Sequence, residues 1–186
     1  MIEHFSIEKL ELEGAYLFKP FIAIDKRGNF IKDYSRNYFK EQGIEHDLKE
    51  VFYTTSEVGV IRAIHFQEVK QQAKLVRCIA GEVYDVIIDL RKESTTYGQW
   101  RGFYLNDENH HSLYIPEGFG HGYLVLKPSI VAYKCAEDFY GKYDTGIIWD
   151  DPDLAIDWPL EKIDKVILSD KDLLLQTFKQ YSERVK

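Results

Sequence analysis

The chain has 186 residues, of which 45% are apolar, 15% aromatic and 30% charged. That composition can bury a core and excludes a disordered chain. A net charge of −7 excludes a broad nucleic-acid surface, which needs a positive face, but a few basic residues in one cleft could still hold a small anion.

Taken in chain order, the elements are mostly strands. Residues 1–44 read as an N-terminal arm, with a strand at 16–23 and a short helix after Ser35 that runs to Gln42 and stops at Gly43. A core over about 45–140 follows, with runs rich in Val, Ile, Tyr and Phe at 51–55, 59–67, 74–79, 82–90, 99–105, 112–115, 122–126 and 130–135. Ala80-Gly81, Tyr97-Gly98, Pro116-Glu117-Gly118 and Lys127-Pro128 read as the turns between them. Such closely spaced strands predict a sandwich or barrel. The segment 141–186 is expected to wrap the barrel through Trp149 and Trp158 and to end in a helix over 170–185, with Leu173, Leu174, Phe178 and Tyr181 on one face. The whole chain, 1–186, is thus expected to form a single domain. Cys78 and Cys135 lie in apolar runs without CxxC spacing and are expected to be buried, reduced thiols. The acidic start MIEHFSIEKLELEG is unlike a signal peptide and no apolar run reaches the length of a membrane span. A cytoplasmic location, away from membranes, is expected.

Several residues could carry chemistry. His65 lies in the apolar strand GVIRAIHFQ. Alone, a histidine there is more often a satisfied core residue than a catalyst. Arg62 and Lys74 are near enough in the chain to build an anion site with it, although Lys74 could also be a solvated strand-edge lysine. Alternation puts Ala63, His65 and Gln67 on one face and Arg62 on the other. Arg62 and His65 can therefore share a ligand only if a bulge or strand end intervenes. Asp85 and Asp89 share a face of EVYDVIIDL; they either meet a polar cavity or pair with cations such as Lys74 or Arg91. His121 follows the glycine-rich YIPEGFG, and Tyr133 sits in IVAYKC. Ser169-x-x-Asp172 is a capping box, which would explain Asp172 without catalysis. A metal site lacks its ligand spacing, since His65 is followed by Phe66 and Gln67 and His110-His111 lies in a polar turn. No Rossmann, P-loop or G-x-S-x-G fingerprint is present.

In order and spacing, GVIRAIHFQ, QAKLVRCIAGEVYDVIIDLR, YIPEGFGHGYLVL, YKC, WDDPDLAIDWP and LSDKD resemble the dTDP-4-dehydrorhamnose 3,5-epimerases. DKRGNF resembles that family's D-x-R-G-x-F segment. The resemblance runs from about Gly14 to about Asp172. It implies a mainly β, cupin-like double-stranded β-helix (jelly roll), a homodimer, and neither metal nor organic cofactor. It also implies a nucleotide-linked 4-keto-6-deoxyhexose as substrate, epimerised at C3, C5 or both. His65 then matches the general base, Asp172 its paired carboxylate, Tyr133 the acid of the opposite face and Lys74 the group beside the enolate. Arg62 and Arg27 match phosphate contacts, Arg27 reaching across from a partner subunit. His121, Asp85, Phe30 and Gln67 complete the expected substrate pocket.

The chain departs from the family pattern in three places. Ala63-Ile64 stands where RGLH is usual, placing a methyl on the expected pocket floor. Lys32 replaces a usual Glu. The segment Glu50 to Ser56 lacks the family's Gln-x-Asn pair. The proton-transfer set is intact while the nucleotide-reading set is changed. A single-carbon epimerase or a GDP- or CDP-sugar epimerase of the same family therefore stays open, as do a metal-dependent cupin and a sugar-binding cupin without catalysis.

Overall fold

The computed structural model describes residues 2–185. A small antiparallel sheet in the arm contains β1 (Ile2–Glu3), β4 (Phe21–Asp25) and β5 (Gly28–Lys32). The larger sheet contains β2 (Ser6–Lys9), β3 (Tyr16–Lys19), β6 (Glu50–Ser56), β7 (Ile61–Gln67), β8 (Lys74–Asp89), β9 (Trp100–Asn106), β10 (Ser112–Ile115), β11 (Phe119–Cys135) and β12 (Asp144–Ile147). The strand expected over 16–23 is split at Pro20, which has no N–H to donate to a ladder. Helix α1 (Arg36–Glu41) starts at Ser35, although the serine side chain makes no capping bond, and stops before Gly43 at φ 74°.

β8 and β11 explain how one sheet closes on itself. The first half of β11 lies between β7 and β8, and its second half between β6 and β8. β8 is flanked in turn by β10 and then β9. Each long strand therefore serves both walls of a cupin-like double-stranded β-helix. The turns expected at Ala80-Gly81 and Lys127-Pro128 are bulges inside these two strands, facing each other where the register shifts. Gly81 has φ +81°, and a Cβ there would overlap the Pro128 carbonyl, so the close approach needs a glycine. The bulge also changes which residues face inward. Val76 and Cys78 before it, and Val83 and Ile87 after it, join one core.

Among the described residues, three apolar clusters stabilise the fold by burial. The barrel interior holds Val76, Val83, Leu105, Leu113 and Val131. Both cysteines are buried and free, and burial pushes each thiol up to about 11. A second cluster, with Ile61, Ile64, Val86 and Ile88, is covered by the wrap through Leu154 and Trp158. Trp158 donates its ring N–H to the Trp149 carbonyl at 2.8 Å, which fixes the irregular segment. A third cluster packs Phe39 of α1 on Phe18, Leu75 and Tyr114.

The C-terminal helix is shorter than its periodicity suggests. A 3-10 turn covers Asp172–Leu174, and helix α2 begins only at Phe178 and runs to Arg184. Thr177 and Gln180 form a reciprocal capping box at that point, and the Asp151 carboxylate accepts from the Phe178 N–H at 2.7 Å. Leu173 and Leu174 are 62% and 85% exposed, so they do not share the buried face of Tyr181.

Candidate active site

The site begins with a bulge in β7. His121 pairs with His65, but Tyr123, two residues on, pairs with Arg62, three residues back. β7 thus carries one extra residue, and this brings Arg62 to the face that His65 occupies; both line one cleft of about 220 Å³. Gly122 permits it, since a Cβ there would lie 2.6 Å from the Arg62 carbonyl oxygen and 2.9 Å from Ile64. Arg62 donates to the Ser56 hydroxyl at 3.1 Å. Ala63 is fully buried and also lines the cleft.

His65 is held at one end of its ring. Nε2 lies 2.8 Å from Asp172 Oδ1. Nδ1 is buried without a hydrogen-bond partner, and Asp144 Oδ2 stands 3.7 Å from it. Burial alone would raise the Asp172 carboxyl. The His65 bond and charge, the Ala63 N–H and Ser169 outweigh it and hold the group below the ordinary carboxylate range. An ionised Asp172 accepts the Nε2 proton, which leaves the lone pair on Nδ1. The capping serine acts as well, because Asp172 N donates to Ser169 Oγ at 3.1 Å. The backbone of Asp172 thus closes the turn while its side chain holds the histidine.

The rest of the cleft comes from β8 and both halves of β11. The two carboxyl oxygens of Asp85 sit 3.0 and 2.9 Å from His121 Nε2, with both residues buried. Burial pushes Asp85 up; His121 and Lys74 pull it back only in part. Lys74 lines the cleft, and burial lowers its ammonium despite the neighbouring Cys135, Asp144 and Asp85. Tyr133 stacks on Phe52 at 4.7 Å and meets the His121 ring edge-on at 5.7 Å. Burial, then Tyr123 and Asp85, push its phenol well above the ordinary tyrosine value, so it stays a proton donor. Asp89 does not join this group. Arg91, Ser94 and Thr96 hold it instead.

Three expected pocket residues lie elsewhere in the single chain. Arg27 is exposed at the β4–β5 turn and pairs with Asp25, and Phe30 on β5 is 59% exposed. Gln67 faces inward, but its amide is spent on the Lys70 carbonyl and the Tyr140 N–H, tying two loops together. The structure adds Asp144, Phe52, Thr54 and Tyr123 to the cleft lining. Thr54 and Tyr123 share a 2.7 Å hydroxyl bond. Alternation along β6 would have paired Phe52 with Thr54. Nothing in the sequence marks Asp144, which gains its place by pairing across β12 and β7. Among the described residues, no three His, Cys, Asp or Glu side chains converge as metal ligands.

A jelly roll whose cleft gathers a carboxylate-held histidine, a protonated phenol and an ammonium group is of the cupin-like isomerase class. Comparison with known proteins narrows the class to a family. The pattern of the dTDP-4-dehydrorhamnose 3,5-epimerases matches residues 9–180, and the chain belongs to that family. A dTDP-4-dehydrorhamnose 3,5-epimerase from Methanothermobacter thermautotrophicus is 48% identical over 90% of this chain and 91% of its own. The crystal structure of dTDP-6-deoxy-D-glucose-3,5-epimerase from Legionella pneumophila, in complex with dTDP-4-keto-L-rhamnose, superposes with a TM-score of 0.92. It is 34% identical, covering 98% of this chain and 97% of that one. The 3′-monoepimerase ChmJ from Streptomyces bikiniensis, in complex with dTDP-quinovose, gives a TM-score of 0.87 at 30% identity, covering 96% and 90%.

Proposed function

We propose that this chain epimerises dTDP-4-keto-6-deoxy-D-glucose at C3 and C5, with His65 as the base, Tyr133 as the acid and Lys74 beside the enolate oxygen. The observation that carries the reading is the free Nδ1 of a histidine whose other nitrogen is held by a carboxylate. A C–H beside a ketone becomes acidic when the enolate oxygen is stabilised, and an ammonium group in a partly dry cleft does that electrostatically. The proton passes to Nδ1, and Asp172 stabilises the resulting imidazolium. Tyr133 comes from the other wall and delivers its proton to the opposite face of the carbon, which inverts it. C3 and C5 both flank the same ketone, so one constellation can serve both. These steps use only acid, base and charge, so the reading needs no metal or organic cofactor.

Arg62 at the cleft mouth takes the diphosphate, and the Asp85-held His121 takes a polar group of the sugar. The reading includes a homodimer in the cytoplasm, with Arg27 and Phe30 completing the partner's cleft. Their exposure, together with that of Val51 and Tyr53 on β6, which are 54% and 69% exposed, supports it. A second reading, inversion at one carbon only, is favoured by the Ala63 methyl on the cleft wall and by the similarity to a monoepimerase.

Proton NMR in D₂O with dTDP-, CDP- and GDP-linked 4-keto-6-deoxyhexoses tests this. Deuterium at C3 and C5 of the dTDP sugar is expected, with loss of at least about 10³-fold in His65→Asn at unchanged Tm. Deuterium at one carbon selects the second reading. Substantial exchange in His65→Asn would overturn the assignment of the base.

A further inference from the structure

His65 Nδ1 is buried, and a substrate that meets it from the cleft would cover the ring further, yet an enzyme that removes protons must also lose them. Each inversion leaves a proton on His65 and removes one from Tyr133. Without a path outward the base is blocked after one event, and inversion of two carbons needs the path twice. Within 4.0 Å of the ring, two carboxylates stand among the described residues. Asp172 is committed to Nε2. Asp144 faces Nδ1 and is ion-paired through the same Oδ2 to Lys171. Its side chain is 11% exposed and that of Lys171 is 53% exposed, so the pair leads from the buried nitrogen to the surface. β12 builds this geometry by pairing Asp144 with Gln67 and Gly146 with His65, which sets Asp144 diagonally across from the histidine on one face.

We infer that Asp144 is the relay that returns His65 to its basic form, and that Lys171 holds it at the boundary between the cleft and water. The inference rests on His65 being the base. In the first step the substrate C–H bond breaks, its electron pair enters the enolate and its proton forms the Nδ1–H bond. The imidazolium then faces a carboxylate, and the 3.7 Å gap closes by side-chain rotation or through one water. The Nδ1–H bond breaks as an O–H bond forms on Asp144, and that proton leaves to water. Meanwhile the Tyr133 O–H bond breaks as the new C–H bond forms, and the phenolate regains a proton from water. One proton leaves and one enters per inversion, so charge balances. Lys171 holds the carboxylate in place for the next cycle through their ion pair.

The test compares wild type with Asp144→Ala and with the isosteric Asp144→Asn, using dTDP-4-keto-6-deoxy-D-glucose in D₂O. With enzyme in excess, first-event deuterium incorporation should stay within about threefold of wild type, while steady-state turnover falls at least about tenfold. Formate, a small diffusible carboxylate, should restore turnover to Asp144→Ala, an effect a merely structural role would not produce. Wild-type turnover in both variants would overturn the inference, as would equal loss of first event and turnover, or failure of formate to rescue. Exchange that persists in His65→Asn would instead sink the assignment of the base, so the two failures are distinct.

Discussion

Asp85 and Asp89 leave β8 on the same face, and neither is exposed, yet their surroundings are opposite. Asp89 accepts from the Arg91 backbone and guanidinium, Ser94 and Thr96 at 2.5–3.0 Å. Burial would raise it, but these partners outweigh burial and hold it down to about 2. Asp85 has His121 and the more distant charge of Lys74, and burial keeps it above the ordinary carboxylate value. Ionised Asp89 therefore stabilises the fold, whereas ionising Asp85 costs stability. A carboxylate whose bonds are complete is a structural fastener. One kept short of partners beside a cleft retains bonding capacity for a ligand or a neighbour, the usual trade between activity and stability.

This contrast can be broken from either side. Asp85→Asn should lower kcat by about 10²-fold, because His121 loses its charged anchor. It should leave Tm at neutral pH unchanged or slightly raised, because a raised pKa means that the charged form opposes folding. A Tm fall as large as that of the Asp89 variant would erase the distinction.

The next largest effect is expected at Asp89. Removing it with Asp89→Ala strands Arg91 and two hydroxyls and should cost about 3 kcal/mol, seen as a Tm lower by about 6–12 °C. kcat should stay within about threefold. The pH dependence follows from the sign of the shift. A depressed carboxylate contributes stability above its unfolded value of about 4. The gap between wild type and Asp89→Asn should therefore be full at neutral pH and close as pH falls through about 2, as denaturant midpoints at several pH values would show. A gap independent of pH would mean that packing, not charge, carries the effect.

A smaller change sharpens the comparison from outside both acids. Gly122→Ala presses a methyl on the Arg62 carbonyl and Ile64, so the β7 bulge must shift. A loss of about 1–2 kcal/mol and a kcat/KM reduced about tenfold are expected, carried by KM because Arg62 moves. Wild-type kinetics would show that the cleft tolerates a displaced bulge.

Much of the site was legible as an ordered set of residues. His65, Lys74, Tyr133, His121 and Asp172 each reach the expected neighbourhood because strand alternation and motif order specify them locally. Asp172 shows how two local readings can both hold, with its N–H in the Ser169 turn and its carboxylate on His65. Arg27 and Phe30 were legible as motif residues, but the single chain leaves them at the surface. Gln67 has the expected parity, and two loops take its amide. Asp144 had no signal, since its meaning depends on which strand β12 pairs with.

The sequence by itself determined the β-rich class, the buried thiols, the wrap anchored by its tryptophans and the order of the acid–base groups, because periodicity, turn residues and motif spacing are local properties. Tertiary structure alone decided that Gly81 and Pro128 sit in facing bulges and that α2 begins at Phe178. It also decided that Arg62 and His65 share a face, and which of the two β8 acids is left with few partners beside a cleft. Register and long-range pairing set these features. A single extra residue in β7, admitted by a glycine on the neighbouring strand, reverses side-chain parity, and such a pairing cannot be read from one strand alone.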